Sequence, residues 1–112
     1  MIIEEIIQNY LAKKISCPVL LERPEKAKAP YVLIEKTGGG KTEHICSSTV
    51  ALQSYADSLL QAMILNEQVK EAMDTLACID EICRSQLNSD YNFTDPTTKQ
   101  YRYQAVYDII HY

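Results

Sequence analysis

The chain has 112 residues, 46% of them hydrophobic and 23% charged, with a net charge of −4 at pH 7. That composition excludes a disordered or fibrous polypeptide, and the length suffices for a single domain over residues 1–112 without metal or disulfide staples. The acidic balance argues against nucleic acid as the main ligand, because such binding is driven by phosphate neutralisation; locally only Lys13-Lys14 and the spread Lys26 and Lys28 run against it.

The first stretch, MIIEEIIQNYLAKK, is apolar, yet it carries acids where a secretory leader has a basic region, and no small-residue cleavage site follows. No apolar run approaches membrane-spanning length. The expectation is a chain made and used in a cytoplasm, with no membrane partner. Ile3, Ile6, Ile7, Tyr10, Leu11 and Lys14 recur at helical spacing, so this stretch is expected to be an amphipathic helix. Acids near its start and lysines near its end suit the helix dipole. Pro18 ends it by pushing Cys17 out of the α region.

Val19-Leu20-Leu21 is read as a short strand, and Arg23-Pro24 to Ala29-Pro30 as a polar loop. Tyr31 to Lys36 is a continuous buried strand. Gly38-Gly39-Gly40 is read as the turn that sends the chain back, and Thr42 to Leu52 as a third strand. In that strand Ile45 falls on the wrong side relative to Val50 and Leu52, which predicts a bulge near Ser47-Ser48.

From about Tyr55 the period changes to that of a helix. Leu59, Ala62, Met63, Val69, Ala72, Met73 and Leu76 mark its buried face, Ser54 is the N-cap, and Asn66 interrupts the stripe where a kink is expected. Residues from about 82 to 112 then read as one long antiparallel hairpin. Cys83, Ser85, Leu87, Ser89, Tyr91 and Phe93 alternate with polar residues, Asp95-Pro96-Thr97-Thr98 turns the chain, and KQYRYQAVYDIIHY returns as an uninterrupted strand. Tyr101, Tyr103, Ala105, Tyr107 and Ile109 share one face; Tyr103 and Tyr107 are expected against the helices, near Leu59, Val69 and Met73. The fold class is α+β in the order α-β-β-β-α-β-β, with two helices on one face of a mainly antiparallel sheet.

The residues that invite a chemical reading are few. Gly40-Lys41-Thr42 matches the end of a phosphate-binding loop, G-x-x-x-x-G-K-[ST], but Glu35 stands at its first glycine and a strand follows where a helix N-terminus is needed. A glycine turn with an exposed lysine accounts for the same residues. His44 and His111, placed in strands, lack an orienting third group, and the acids Glu4, Glu5, Asp57, Glu67, Asp80 and Glu81 form no acid/base dyad. Cys17, Cys46, Cys78 and Cys83 contain no CxxC pair, so free and mostly buried thiols are expected, with no metal and no cofactor. The tyrosine stripe could stack bases, but Ala105 and Ile109 share its face, which favours core packing. The residues make no case for an enzyme. A nucleotide-binding domain built on Gly40-Lys41-Thr42, or a nucleic-acid module built on the tyrosines, remains the alternative from another class.

LNSDYNFTDPTTKQYRYQAVYDIIHY, from Leu87 onward, resembles the C-terminal part of small tail proteins of phages and prophages of Gram-positive bacteria. YVLIEKTGGGKTEHICSSTVALQSYADSL and LNEQVKEAM continue the likeness, which covers most of the chain beyond Tyr31. Such proteins look like relatives of the tail terminators of long-tailed, non-contractile phages. The resemblance implies structural work. A subunit of a six-membered ring would cap the finished tail tube, end addition of the major tube protein, and offer the surface that joins the tail to a head-completion or neck protein. The expected location is the neck end of the virion tail, assembled in the host cytoplasm. A neck-region head–tail completion adaptor is the nearest alternative. The segment proposed to touch a neighbouring subunit or the tube is the hairpin with Lys36, Gly38, Gly39, Gly40, Lys41 and Glu43.

Overall fold

Residues Val50 to Ala56 are buried without interruption, the burial expected of a strand with neighbours on both sides and side chains packed above and below. In the computed structural model, which describes residues 2–23, 28–98 and 100–112, this segment belongs to the middle strand of a five-stranded sheet. The elements in chain order are α1 (Ile3–Ala12), β1 (Val19–Leu20), β2 (Tyr31–Thr42), β3 (Ile45–Ala56), α2 (Leu59–Met73), a 3-10 turn at Leu76–Cys78, β4 (Ile82–Asn92) and β5 (Tyr101–His111). Spatially the strands run β1-β2-β3-β5-β4. The class is α+β as expected, but the sheet is mixed, because β1 lies parallel to β2 while the other pairings are antiparallel. Within the loop expected from Arg23 to Pro30, residues 24–27 lie outside the described residues, as does Lys99 ahead of β5.

Both helices contribute to one core. Ile3, Ile7 and Leu11 of α1 and Leu65, Val69, Ala72 and Met73 of α2 share a cluster with Val32, Ile34, Val50, Leu52, Ala105, Tyr107 and Ile109 from the sheet. Burying each of the large aliphatic side chains contributes about 1.5–3 kcal/mol. The strand alternation explains the set: Val50 pairs with Tyr107 and Leu52 with Ala105, so all four point to the helical side.

Several expectations about α2 need correction. The helix starts at Leu59, with Ser58 as N-cap accepting from the Gln61 amide at 3.2 Å. Ser54 instead sits fully buried in β3 between Val32 and Tyr103, because pairing on both sides carries the strand on to Ala56. Asn66 does not break the helix, which runs through it; its side chain is buried on the core face. Leu59 and Met63 are exposed and Leu65 is buried in their place, so the buried stripe is rotated from the expected one. Correspondingly, Tyr107 lies in the core with Val69 and Met73, whereas Tyr103 is only half-buried near the start of β5, outside that cluster.

The irregularities of the sheet are also displaced. Ser47 and Ser48 pair regularly with β5, and the extra residue is Thr37 in the partner strand β2, between Lys36 and Gly38. Two more interruptions fall in β4, at Cys83 and at Asn88. At the hairpin end, the Thr97 amide donates to the Asp95 carboxylate at 2.8 Å, as an Asp-Pro turn requires, and holds that carboxyl below its ordinary range.

Candidate functional site

From Glu35 to Ile45 every residue is exposed, although most of this stretch is regular strand. The outer parts of β2 and β3 therefore stand clear of the helical core as an arm at the sheet border; β3 stays paired with β5 as far as Cys46, and only the tip from Thr42 to Ile45 projects beyond that pairing. Eight residues from Glu35 to Thr42 span about 26 Å at strand rise, within a molecule of 43 × 26 × 24 Å.

The three glycines do not make the turn. They lie inside β2, none with positive φ, and Gly38, Gly39 and Gly40 pair with Thr49, Ser48 and Ser47. The chain reverses at Glu43 (φ 46°) and His44 (φ 74°), a two-residue connection with both central residues left-handed. His44 thus belongs to the turn rather than to a strand. Gly39 is needed for close approach: a Cβ there would come within 2.9 Å of both Lys36 Cε and the Ser47 carbonyl oxygen. Lys36 consequently lies flat across the glycine. The Thr37 bulge puts Lys36, Gly39 and Lys41 on the same side, opposite Val50, Ser48 and Cys46. Thr37 Oγ1 donates to the Thr49 carbonyl at 3.3 Å and fixes the bulge.

On that side the arm and the first turn of α1 enclose an open cleft of about 450 Å³, walled by Ile2, Ile3 and Glu4 on the helix and by Lys36, Lys41 and Cys46 on the arm. Its floor reaches Ser48, whose hydroxyl lies 2.8 Å from His111 Nε2. Neither Lys36 nor Lys41 makes an ion pair among the described residues; the pairs present join Lys70 to Glu67 and Asp90, which raise the Lys70 pKa through hydrogen bonds to Asp90 and then Glu67. Gly40-Lys41-Thr42 continues into the turn with no helix behind it, so no row of amides faces an anion there. Of the expected contact residues, Lys36, Gly38, Gly39, Gly40, Lys41 and Glu43 are all on the arm and all exposed.

The four cysteines are free, Cys17 and Cys46 half-buried and Cys78 and Cys83 exposed, so the expectation of mostly buried thiols fails for the second pair. Burial pushes the Cys17 thiol up. Cys46 faces His111 across the β3–β5 ladder, while the His111 ring is occupied by Ser48 and by the Tyr112 carbonyl. Among the described residues no group of His, Cys, Asp and Glu is arranged to hold a metal.

Two surfaces were not anticipated. On the helix-free side of the sheet, Gln53 and Gln104 are buried and joined at 2.8 Å; Tyr55 donates to Gln53, Gln104 donates to Tyr91, and Arg102 donates to Tyr55. The Arg102 guanidinium also lies over Phe93 (4.4 Å) and Tyr55 (5.7 Å), and Tyr55 stacks on Tyr31 at 4.5 Å. Burial, then the neighbouring Tyr55, raise the Tyr31 pKa. The signal for this face was the same alternation that placed the core: Arg102 and Gln104 occupy the intervening positions of β5. The second surface is the outer side of α2, where Leu60 (66% exposed), Ile64 (49%) and Met63 (41%) stand in solvent, followed by exposed Glu67 and Glu71.

Comparison of the sequence with protein-family models and with curated proteins finds no match for the chain.

Proposed function

We propose that the chain is a structural subunit of a phage or prophage tail, a tail terminator that forms a six-membered ring on the finished tube, ends its growth and offers the surface for head joining. The observation that supports this most is the arm. An exposed hairpin strand with three glycines, anchored by the buried half of β3, offers contact surface at little expense to the core. A ring needs such an element, since heterologous contacts close a rotation by setting one patch against a different patch on the next copy. The fully hydrogen-bonded Gln53–Gln104–Tyr91 network on the other face suits a rigid scaffold better than a reactive centre, because its polar groups are already occupied.

The test uses tail tubes assembled from a major tube protein. Added protein should stop tube elongation and appear by electron microscopy as a ring at one end. Gly40 and Ser47 face each other two pairs below Thr42 and Ile45, which flank the native turn, so residues 41–46 can be replaced by Asn-Gly in the same ladder phase without disturbing the core pairing. That shortened chain should fold and fail to cap. Tubes that keep growing with the parent protein bound, or a shortened chain that caps as well as the parent, would refute the proposal; binding to head connectors but never to tubes would assign the chain to the neck instead.

A further inference from the structure

We infer that the outer ridge of α2 docks onto the helix-side cleft of the arm in a second copy of this chain. The inference rests on reading the arm as a contact element and names what it contacts.

The ridge is an apolar surface left uncovered. A helix lying on a sheet normally turns polar residues outward, and α2 does so only in its second half. Its first half presents Leu60, Met63 and Ile64, a cluster of the kind that marks interaction sites. Along one helix side the character therefore changes from apolar to acidic, with Glu67 and Glu71 continuing the row.

The cleft offers the matching sequence of surfaces. One wall offers Ile2, 59% exposed, with Glu4 beside it above the buried Ile3; the other carries Lys36 and Lys41, cations without an ion-pair partner among the described residues. Its arm side is smooth because Gly39 has no side chain and the Lys36 stem lies along it, so a helix can approach closely. The dimensions agree as well: the fifteen residues of α2 extend about 22 Å, against about 26 Å of arm. Within one molecule the two surfaces do not meet, since α2 packs mainly on β3 and β5 and turns its ridge away from them. The contact is therefore between copies, and it is heterologous, so each copy uses both surfaces and the contact propagates. Opposite charges at these positions fix the register as well as the attraction.

The test is carbodiimide coupling, which joins a lysine to a carboxylate only when the two touch, on an equimolar mixture of ¹⁵N-labelled and unlabelled full-length protein. Mass spectrometry should find mixed-label peptides joining Lys36 or Lys41 to Glu67 or Glu71, and sedimentation should show concentration-dependent association that weakens with salt. Lys41→Glu and Glu71→Lys should each weaken association about tenfold, and mixing the two variants should restore it, the direct sign of a charge pair. Ile64→Ser, an exposed change that leaves the circular dichroism unaltered, should weaken it similarly. A protein that sediments as a monomer to its solubility limit, couplings confined to other segments, or variants that associate like the parent would each overturn the inference. Failure of the tail reading looks different: the copies would still couple through these residues while tube growth continued.

Discussion

Ser48 Oγ and His111 Nε2 lie 2.8 Å apart, both buried, where the arm leaves the body of the sheet. Cys46 pairs with His111 and Ser48 with Ile109, so the bond runs diagonally across the β3–β5 ladder. The other ring nitrogen meets the Tyr112 carbonyl at 3.2 Å, which satisfies both nitrogens when Ser48 donates to Nε2. Ser48→Ala leaves a buried imidazole nitrogen unpaired and should cost about 1–3 kcal/mol. Urea unfolding checks this; an unchanged midpoint would show that the bond contributes nothing.

The three glycines should respond differently to alanine. A Cβ at Gly38 meets Thr49 Cβ at 3.9 Å and one at Gly40 meets Ser47 Oγ at 3.5 Å, both ordinary contacts. At Gly39 it meets the backbone oxygen of Ser47 at 2.9 Å and displaces Lys36. Gly38→Ala and Gly40→Ala should therefore leave the arm as it is. Gly39→Ala should shift amide resonances of Lys36, Ser47 and Ser48 while the core resonances stay in place. Equal perturbation by all three would contradict the close approach at Gly39.

Replacing Glu43-His44 with Asn-Gly should raise stability by roughly 0.5–1 kcal/mol, because both residues hold φ values that most side chains resist and that Asn-Gly adopts readily. The denaturant midpoint is the measurement. A lower midpoint would mean that the turn residues make contacts outweighing their backbone strain.

Tyr107 carries a prediction in alkaline solution. Burial pushes its phenol up to about 12 from 10, with Asp74 adding to the effect. Folding thus protects the neutral form: below pH 10 neither state ionises, and between 10 and about 12 the unfolded chain loses its proton first. The unfolded state then binds fewer protons than the folded one, so stability falls as pH rises through that window. Tyr107→Phe should remove part of this slope, and Tyr107→Ala should cost about 3–5 kcal/mol at neutral pH. Tyr103→Ala, at a half-buried position, should cost clearly less. Melting curves from pH 8 to 12 decide the first point, and a slope identical in parent and Phe variant would refute it.

The long C-terminal hairpin was legible because aromatic and β-branched residues alternate through β5 without Gly or Pro, so local preference and burial agree. The arm was legible only as a position. Three consecutive glycines carry the ordinary mark of a turn, yet in β2 they keep extended backbones because pairing with Ser47, Ser48 and Thr49 holds them and Lys36 needs the space over Gly39. The turn itself sits on Glu43 and His44, residues with no turn preference to announce it. On α2, period alone gave an apolar stripe too wide to be buried whole. Leu59 and Met63 fell outside the buried part, and a buried Asn66 fell inside it, because the docking of α2 on β3 and β5 rather than spacing alone decides which side is covered. The Gln53–Gln104 face was hidden for a simpler reason: glutamines in strands look like solvent positions until a neighbouring tyrosine closes over them.

The two interruptions of β4 have a consequence for what the protein avoids. β4 is one border of the sheet, and an unbroken border strand is an open template for stacking chain upon chain into fibrils. At Cys83 and Asn88 the extra residues throw its outward amides and carbonyls out of step, and Arg84 adds a charge between them. A second molecule cannot zip along that border in continuous register. The opposite border, where β1 covers β2 only at Val32 and Leu33, is interrupted in the same way by Thr37 and flanked by Lys36 and Lys41. Both borders are thus broken by an extra residue and marked by a charge, and the sheet presents no long, regular strand edge for another sheet to extend.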